Sequence, residues 1–416
     1  MAMTHSDTPA ATPVPGGPHP ARRGLTIGVS GLYLALYLHY GFFTFIPLYL
    51  KKTGATAAEI GVLLAIPLVL RVLTVAPVSA WAGRHGRVRD GVAVTALASA
   101  AIILLLLGEP EHAGRVAIVI AFSMMWDQIP VLTDAYAVMA VRSHGIDFGR
   151  VRVWGSIGVV ASSAAAGWVF GLTGIEALPW LVALILILPA LTAPLLPPDR
   201  QMAPPEPGPA GQWRDVLVDR KLMLAMGATA LVMGSHGVLT SFGAIQWDAQ
   251  GISTGTIGML QALAVSAEIL AFWFGTKMLG RRDPSLLICI AAAAAVLRWA
   301  VMATNPGLEI LFAVQLLHGV TSTGAILGMM LVIATRVPMQ ASAAAQGLNA
   351  VLLGIALAAA TAGSGLLWSY GISVAYFAMA GLAAIAVLLA WPGKARGAEP
   401  AIDPFSETMP TPGAKS

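Results

Sequence analysis

Charged residues and cysteine are both scarce in this sequence. Asp, Glu, Lys and Arg make up 11% of its 416 residues, whereas a soluble domain carries about 25%. Because 57% of the residues are hydrophobic and the mean hydropathy is +0.77, we expect a polytopic membrane protein. The single cysteine, Cys289, lies in an apolar run. An intrachain disulfide and a CxxC metal or redox site are therefore excluded.

Sequence signatures of the common enzyme classes are also missing. The chain contains no HExxH, GxSxG or P-loop pattern, which argues against a metalloprotease, a serine hydrolase and an ATP-driven pump. We therefore expect neither an enzyme nor a cofactor. ATP-driven pumping would need a nucleotide-binding partner chain.

Twelve apolar segments are long enough to cross a bilayer, which takes about 20 residues. The predicted fold is an all-α membrane protein with a six-helix bundle at 25–196, a Pro/Gly-rich cytoplasmic linker at 197–220 and a second six-helix bundle at 221–391. Residues 1–24 and 392–416 are predicted to be disordered cytoplasmic ends. The predicted spans are roughly 25–50, 57–80, 91–108, 114–141, 149–172, 177–196, 221–246, 254–279, 285–304, 307–335, 343–367 and 371–391.

The positive charges are distributed unevenly between alternate loops. Of the 24 Lys and Arg residues, 18 fall in segments on the side of the N-terminus and 3 in loops on the other side. The positive-inside rule then places both termini in the cytoplasm, in a multi-pass protein of the inner (plasma) membrane. The isoelectric point near 9.3 reflects this topology, so we do not expect a nucleic-acid partner.

The two halves of the chain repeat each other at a spacing of 197 residues. The register needs no gap around the second helix of each half, and the same loop position recurs. The same register makes Arg71 equivalent to Glu268, so the two halves carry opposite charges at this repeat position. Parallel six-helix repeats of this kind are a transporter architecture. The matching pairs are His39–His236, Gly54–Gly251, Ile60–Ile257, Gly61–Gly258, Gly83–Gly280 and Arg84–Arg281.

Two motifs resemble those of the major facilitator superfamily. The loop SAWAGRHGRVRD, 79–90, is similar to the GxLADRxGRR signature of that superfamily. FGRVRVWG, 148–155, is similar to the entry into helix 5 in the branch of proton symporters that includes lactose permease and 3-phenylpropionic acid permease. The resemblance covers about residues 25–391 and implies a secondary transporter. Val159 stands where lactose permease has its sugar-stacking tryptophan, so a galactoside site is not expected.

Four charged residues are predicted to meet in the first half. Asp134 on the fourth helix and Arg152 on the fifth come to about the same depth, because a helix rises about 1.5 Å per residue. Arg71 and Asp127 likewise both fall near mid-depth. The resemblance implies that Asp134 and Arg152 bind the substrate, with Arg150 at the membrane surface. Alternatively, Arg152 is one more surface anchor. The candidate substrate-binding residues are Asp134, Arg152, Asp127, Arg71 and Trp126.

A second polar group is predicted in the other half. Glu268, Arg298 and His318 fall where the symporter branch has intramembrane polar residues on helices 8, 9 and 10, which implies a role in proton coupling. Gln315 and Thr321 replace a lysine and a carboxylate of lactose permease. A carboxyl group shielded from water can hold a proton at neutral pH, so Glu268 is the predicted proton carrier. We expect Arg298 to approach it in one state of the cycle.

Together these features predict proton-coupled symport of a small organic solute, such as an aromatic or other carboxylic acid, by a monomeric protein. The expected partners are the substrate, protons and the lipid bilayer. Symport of a saccharide or nucleoside and drug export by proton antiport remain open. A membrane enzyme or a sensor is disfavoured, because the sequence contains no catalytic constellation and no soluble output domain.

Overall fold

The computed structural model describes residues 20–202, 213–279 and 283–391. Parts of the predicted termini, the middle of the linker, and Gly280 and Arg281 of the repeat lie outside these ranges. The described residues form helices throughout. Their bounds are α1 Pro20–Phe43, α2 Ile46–Lys52, α3 Ala57–Arg84, α4 Val88–Leu104, α5 His112–Trp126, α6 Gln128–His144, α7 Phe148–Thr173, α8 Leu178–Thr192, α9 Trp213–Val218, α10 Arg220–Ser235, α11 Gly237–Ala249, α12 Thr254–Leu279, α13 Pro284–Ala303, α14 Leu308–His318, α15 Gly324–Arg336, α16 Met339–Trp368 and α17 Ile372–Ala390.

Within the described residues, eleven helical stretches are long and apolar enough to cross a membrane. Helix α3 supplies a twelfth if its two segments, bent by 40° between Arg71 and Leu73, count as one span. Pro77 lies inside this helix and has no N–H to donate to the carbonyl of Leu73, which accounts for a bend at this place. The predicted all-α membrane architecture is confirmed.

Four of the spans are interrupted, and they are the first and fourth of each half. The first span consists of α1 and α2, the fourth of α5 and α6, and the seventh of α10 and α11. The tenth passes from α14 through a π-helical turn, Gly319–Thr323, into α15. The interruptions therefore follow the internal repeat, and two of them lie beside the candidate site residues.

Polar caps define where several helices begin. Thr56 and Glu59 form a capping box at the start of α3, and the Asp147 carboxylate accepts from the backbone N–H of Arg150 at the start of α7. Asp219 caps α10 in the same way. These contacts satisfy backbone donors that a helix start leaves without partners.

The two halves pack against each other along α3 with α16 and along α7 with α12. The backbones approach so closely that a Cβ atom on Gly61 would lie 2.9 Å from Gly365 Cα. A Cβ atom on Gly258 would lie 2.4 Å from the carbonyl oxygen of Ser163. Gly61 and Gly258 are one of the repeat pairs, so both seams are built in the same way.

The bundle has a terminal end, where α1 begins and α17 ends, and a far end, where α2 and α11 end. At the far end Lys52 Nζ lies 2.9 Å from Asp248 Oδ2, across the two halves. Thr44 donates to Gln261 Oε1 at 2.6 Å, also across the halves. The seams and these polar contacts hold the far end closed.

Contacts described at the terminal end stay within one half. Arg336 Nη2 lies 2.8 Å from Asp219 Oδ2 in the second half. Burial acts to raise the pKa of Asp219, but hydrogen bonds from the backbone N–H of Leu222 and from Arg336 outweigh it and hold that pKa below its ordinary value. In the first half, Asp199 accepts from the backbone N–H groups of Val88 and Arg89. The start of the predicted linker is thus packed against α4.

Candidate substrate and proton sites

Arg152 and Asp134 lie side by side in the first half. The Nε atom of Arg152 is 3.8 Å from Asp134 Oδ1, an ionic contact that is too long for a hydrogen bond. The side chains of Arg152 and Asp134 are 35% and 45% exposed. The structure thus brings together the two residues that the sequence predicted to meet, and their role in substrate binding stays a prediction.

The neighbouring Arg150 has quite different surroundings. Its side chain is 84% exposed, and Nε lies 3.8 Å from Asp147 at the first turn of α7. Arg152 points to the opposite side of the helix, because residues two apart lie about 200° apart around the axis. The two arginines of the FGRVRVWG motif therefore face water and protein, respectively.

Two tyrosines of α1, which the sequence analysis missed, complete the Arg152 site. The Tyr33 hydroxyl donates to Asp134 Oδ1 at 2.6 Å, and Arg152 Nη2 donates to the Tyr37 hydroxyl at 2.8 Å. The guanidinium carbon lies 4.6 Å from the Tyr37 ring centre and 5.4 Å from that of Tyr33, within the range of cation–π attraction. Tyr33, Tyr37 and Tyr40 follow one helix face, and this spacing in YLALYLHY could have revealed them.

Gly155, one turn after Arg152 on α7, leaves room for the arginine. A Cβ atom at this position would lie 2.8 Å from Arg152 Nη1 and 2.8 Å from Tyr37 Cδ2. Such contacts are too short for a real side chain, so a larger residue would displace both groups. This gives a physical reason for the glycine that ends the FGRVRVWG motif.

Arg71 and Asp127 form a second, looser contact in the first half. Arg71 Nε lies 4.0 Å from Asp127 Oδ1. Arg71 is 49% exposed, whereas Asp127 is buried at the break between α5 and α6. The proline at position 130 lacks the N–H that would bond to the carbonyl of residue 126, which accounts for this break. The predicted proximity is seen, and the function of the pair is untested.

Trp126 contacts protein groups on both its edge and its face. Its indole N–H donates to the Nε2 atom of His39. Its ring centre lies 5.1 Å from Tyr40 and 5.0 Å from Phe43. These contacts place Trp126 next to the tyrosine ladder of α1, while the predicted contact with substrate remains a prediction.

Arg298 is the central cation of the second half, and it is fully buried. Its Nη1 lies 3.0 Å from His318 Nδ1, and its Nη2 donates to Gln315 Oε1 at 2.8 Å. A further contact reaches Thr321 Oγ1 at 3.4 Å. The guanidinium also lies over the Trp299 ring, 4.8 Å from its centre. The described hydrogen-bond partners of this cation are therefore neutral acceptors.

His318 lies between Arg298 and Glu268. Its Nε2 is 3.3 Å from Glu268 Oε2, while Nδ1 faces Arg298. Because a guanidinium only donates, Nδ1 must accept, which assigns the ring proton to Nε2 and directs it to the Glu268 carboxylate. The expected approach of Arg298 to Glu268 in one state of the cycle stays a prediction. In this structure the two residues are linked through His318, and Arg298 on α13 lies on the far side of the imidazole.

Glu268 also contacts the π-helical turn of the tenth span. Its Oε1 accepts from Ser322 Oγ at 3.2 Å, and its backbone carbonyl accepts from Thr323 Oγ1 at 3.2 Å. The side chain is 28% exposed. Turns of this kind occur frequently at functional sites in helical proteins. Glu268 is thus partly exposed and lies next to donors on His318 and Ser322.

The repeated histidines have equivalent surroundings. His39 and His236 are both buried, and each directs Nδ1 to a backbone carbonyl one turn earlier, at Leu36 and Val232. The remaining nitrogen of His39 contacts Trp126, and that of His236 contacts Thr321 Oγ1 at 3.0 Å. These contacts tie the first span of each half to its fourth. No group of three or more metal-ligating side chains is found among the residues that the structure describes.

A model of the MFS_1 like family matches residues 27–379. The chain belongs to this family of major facilitator superfamily transporters. It is therefore a multi-pass membrane transporter for a small molecule and not an enzyme, as the sequence motifs predicted.

Two similar proteins have names that state a substrate. The chain is 29% identical over 342 residues to a probable 3-phenylpropionic acid transporter of Escherichia coli (strain K12), covering 81% of this chain and 90% of that protein. It is 25% identical over 291 residues to a maltose permease of Geobacillus stearothermophilus, covering 69% and 73%. The substrates named for these two relatives are an aromatic acid and a disaccharide.

Solved structures agree on the fold. A variant of the nucleoside transporter NupG superposes with a TM-score of 0.76 at 15% identity, over 88% of this chain and 98% of that one. An inward-facing, unoccupied structure of a bacterial homologue of the human lysosomal transporter Spinster has a TM-score of 0.69 at 13% identity, over 90% and 97%. At such identities the likeness concerns the fold alone.

Proposed function

We propose that this transporter imports a small organic carboxylate, with aromatic acids as the leading class, together with protons across the inner membrane. The observation that carries the proposal is the Arg152 site. A half-exposed guanidinium suited to a carboxylate lies beside the stacked rings of Tyr33 and Tyr37. The similarity to a probable 3-phenylpropionic acid transporter supports the same substrate class.

The proposed proton carrier is Glu268. Apart from Glu309, at the far end of the tenth span, it is the one acidic residue within the predicted spans of the second half. Its side chain is 28% exposed and lies 3.3 Å from His318 Nε2. In this proposal Arg298 and Gln315 fix the orientation of His318, and His318 presents its N–H to the carboxylate. Asp127 and Arg71 line the proposed substrate route in the first half of the bundle.

The proposed sidedness follows from the charge distribution and the closed far end. If the terminal end is cytoplasmic, as the positive-inside rule predicts, the closed contacts between Lys52 and Asp248 lie on the outer side. The structure then corresponds to an inward-facing state. In this proposal a solute that arrives from the cytoplasmic side meets Arg71, Asp134 and Arg152, which are all partly exposed.

A saccharide is the second candidate substrate. Asp134 is half-exposed and can accept hydrogen bonds from sugar hydroxyls, and the chain is similar to a maltose permease. External pH recording in vesicles distinguishes the options. Symport of 3-phenylpropionate should alkalinise the medium when the solute is added, symport of maltose should do so only with maltose, and proton antiport should acidify it. Turnover without any pH change would contradict proton coupling.

A further inference from the structure

The inference concerns the proton that enters with the substrate, and it rests on the proposed function. We propose that the substrate carboxylate replaces Asp134 as the counter-ion of Arg152, and that Asp134 takes up a proton in the same step. Asp134 would then be an internal competitor for the substrate as well as a proton site. Glu268 would be a separate proton site in the other half.

Arg152 is held loosely by its present counter-ion. Its Nε is 3.8 Å from Asp134 Oδ1, and its described hydrogen bond goes to Tyr37. A guanidinium offers several N–H donors in a planar fork, so most of them are not used by the described residues. A carboxylate ligand can take two of them in parallel. The contact with Asp134 is therefore weaker than the one a well-placed substrate can make.

Arg152 keeps its position when the counter-ion changes. The rings of Tyr33 and Tyr37 lie against the guanidinium, and the hydroxyl of Tyr37 accepts from Nη2. Gly155 leaves the space that the guanidinium occupies. None of these contacts involves the Asp134 carboxylate. The site therefore orients its cation without the internal acid, which is what an exchange of anions requires.

Asp134 in turn has a partner that does not depend on Arg152. Its Oδ1 accepts a hydrogen bond from the Tyr33 hydroxyl at 2.6 Å. The carbonyl oxygen of a protonated carboxyl group can still accept this hydrogen bond. The side chain is 45% exposed, so water and a proton can reach it. Asp134 can thus become neutral without losing its place on α6.

The surrounding charges allow one anion at a time. The titratable and charged groups near Asp134 are Tyr33 and Tyr37 on α1 and Arg152 on α7. Arg71 on α3 lies near Tyr37 and is in contact with Asp127. On α4, the Arg89 and Asp90 side chains are paired with each other, 2.9 Å apart. Two carboxylates beside the single cation Arg152 would repel each other, which disfavours binding unless one of them is protonated.

The charges balance in this step. In the empty site the positive Arg152 and the negative Asp134 cancel. After binding, the substrate carboxylate cancels Arg152, and the proton that comes from the same solution makes Asp134 neutral. An uncharged analogue such as 3-phenylpropionamide leaves the contact between Asp134 and Arg152 intact and takes up no proton here.

Isothermal titration calorimetry of the purified full-length protein tests whether binding takes up a proton. Each ligand is titrated in several buffers that differ in ionisation enthalpy, and the difference in the measured heats gives the number of protons taken up. We expect uptake with 3-phenylpropionate in the wild type and in Glu268→Gln, and none with 3-phenylpropionamide. Asp134→Asn keeps an oxygen for Tyr33 and should bind the acid without uptake. Wherever binding takes up one proton, the wild-type affinity for the acid should fall about tenfold per pH unit, and the affinity of Asp134→Asn should stay constant.

Two results would overturn the inference. One is proton uptake that persists in Asp134→Asn, and the other is uptake that disappears in Glu268→Gln, a test that does not require the Asp134 variant to fold. If the wild type binds maltose and no carboxylate, the proposed function is wrong and the inference is wrong with it. If the acid binds with uptake that Asp134→Asn retains, the inference alone is wrong.

Discussion

Each half of the bundle holds a polar cluster around an arginine, and the two arginines have opposite surroundings. In the first half Arg152 is 35% exposed and faces a carboxylate at a loose distance. In the second half Arg298 is fully buried and bonds to His318, Gln315 and Thr321. A cation with water access and unused donors can exchange partners, whereas a buried cation with short hydrogen bonds holds its neighbours in place.

The same contrast extends to the paired positions on the second helix of each half. Arg71 is 49% exposed beside Asp127, and its repeat equivalent Glu268 is 28% exposed beside His318 and Ser322. Both contact the interrupted fourth helix of their own half. The duplicated scaffold therefore supplies one geometry twice with opposite charges, an arginine in the first half and a glutamate, the proposed proton carrier, in the second.

The largest expected effect comes from removing the acid of the second half. Glu268→Gln imitates the permanently protonated carrier at nearly the same volume. It should exchange 3-phenylpropionate across the membrane, because exchange does not require the proton to leave, and it should fail to accumulate the acid under a proton gradient. Uptake and counterflow in vesicles measure the two activities separately.

Glu309 provides the matched control, since it is an exposed acid in the first turn of α14. Glu309→Gln should accumulate the acid like the wild type. Wild-type accumulation by Glu268→Gln would show that Glu268 is not the proton carrier and that the coupling proton binds to another residue.

The next largest effect is expected at the exposed arginine. Arg152→Lys keeps the charge but loses the planar fork, and hydrogen bonds to charged groups contribute about 1.5–3 kcal/mol each, which corresponds to roughly ten- to a hundredfold in affinity. Transport of labelled 3-phenylpropionate should fall by this factor in Arg152→Lys and further in Arg152→Ala. Arg150→Ala, two residues away and 84% exposed, should transport normally. Full activity of both Arg152 variants would return Arg152 to the role of a surface anchor.

Much of the architecture was predictable because it depends on long apolar segments. Each span has its own apolar segment in the sequence, and the gapless repeat predicts that the two halves share one arrangement of helices. The contact between Arg152 and Asp134 was also within reach, because helix rise alone brings both residues to one depth. The stripe of Tyr33 and Tyr37 was visible in the sequence but was missed.

The position of His318 between Arg298 and Glu268 was not predictable. It depends on how α12, α13 and the tenth span rotate about their axes, and on a π-helical turn that has no proline or other obvious marker in its sequence GVTST. Apolar all-round helices give little information on which face points inward. The order of the three residues within the cluster therefore required the packed structure.

Replacing Arg298 and Arg152 separately by methionine compares how much each arginine contributes to the stability of the fold. Arg298→Met leaves the buried Gln315 and the partly buried His318 without their donor, at a cost of about 1–3 kcal/mol for a buried unsatisfied group. Arg152→Met removes a partly exposed contact, for which we expect a loss within about 1 kcal/mol. Thermal unfolding of the two purified variants should show the larger decrease for Arg298→Met. Equal decreases would mean that burial does not distinguish the two sites.

The smallest expected effect lies where the halves meet. Lys52 and Asp248 are 48% and 31% exposed, and ion pairs of this kind contribute about 0.2–1 kcal/mol. The pair exists only while the far end is closed, so its energy biases the equilibrium between the two access states directly. A bias of this size changes the ratio of the two access states about 1.5- to fivefold. Such a change is too small to stop transport, but it is large enough to be seen in distances measured between labels on the two halves.

Spin labels on Ala113→Cys and Ser253→Cys, which lie at the far end of opposite halves, can report this ratio in a protein whose Cys289 is replaced by alanine. Asp248→Lys should increase the population with a long distance, and the exchanged pair Lys52→Asp with Asp248→Lys should restore the original distribution. Asp219→Asn breaks the contact with Arg336 inside the second half and should leave the distribution unchanged, because that contact is present whichever end is open. If Asp219→Asn shifts the distribution as much as Asp248→Lys does, the far-end pair has no special role in closure, and the glycine seams of Gly61 and Gly258 alone account for it.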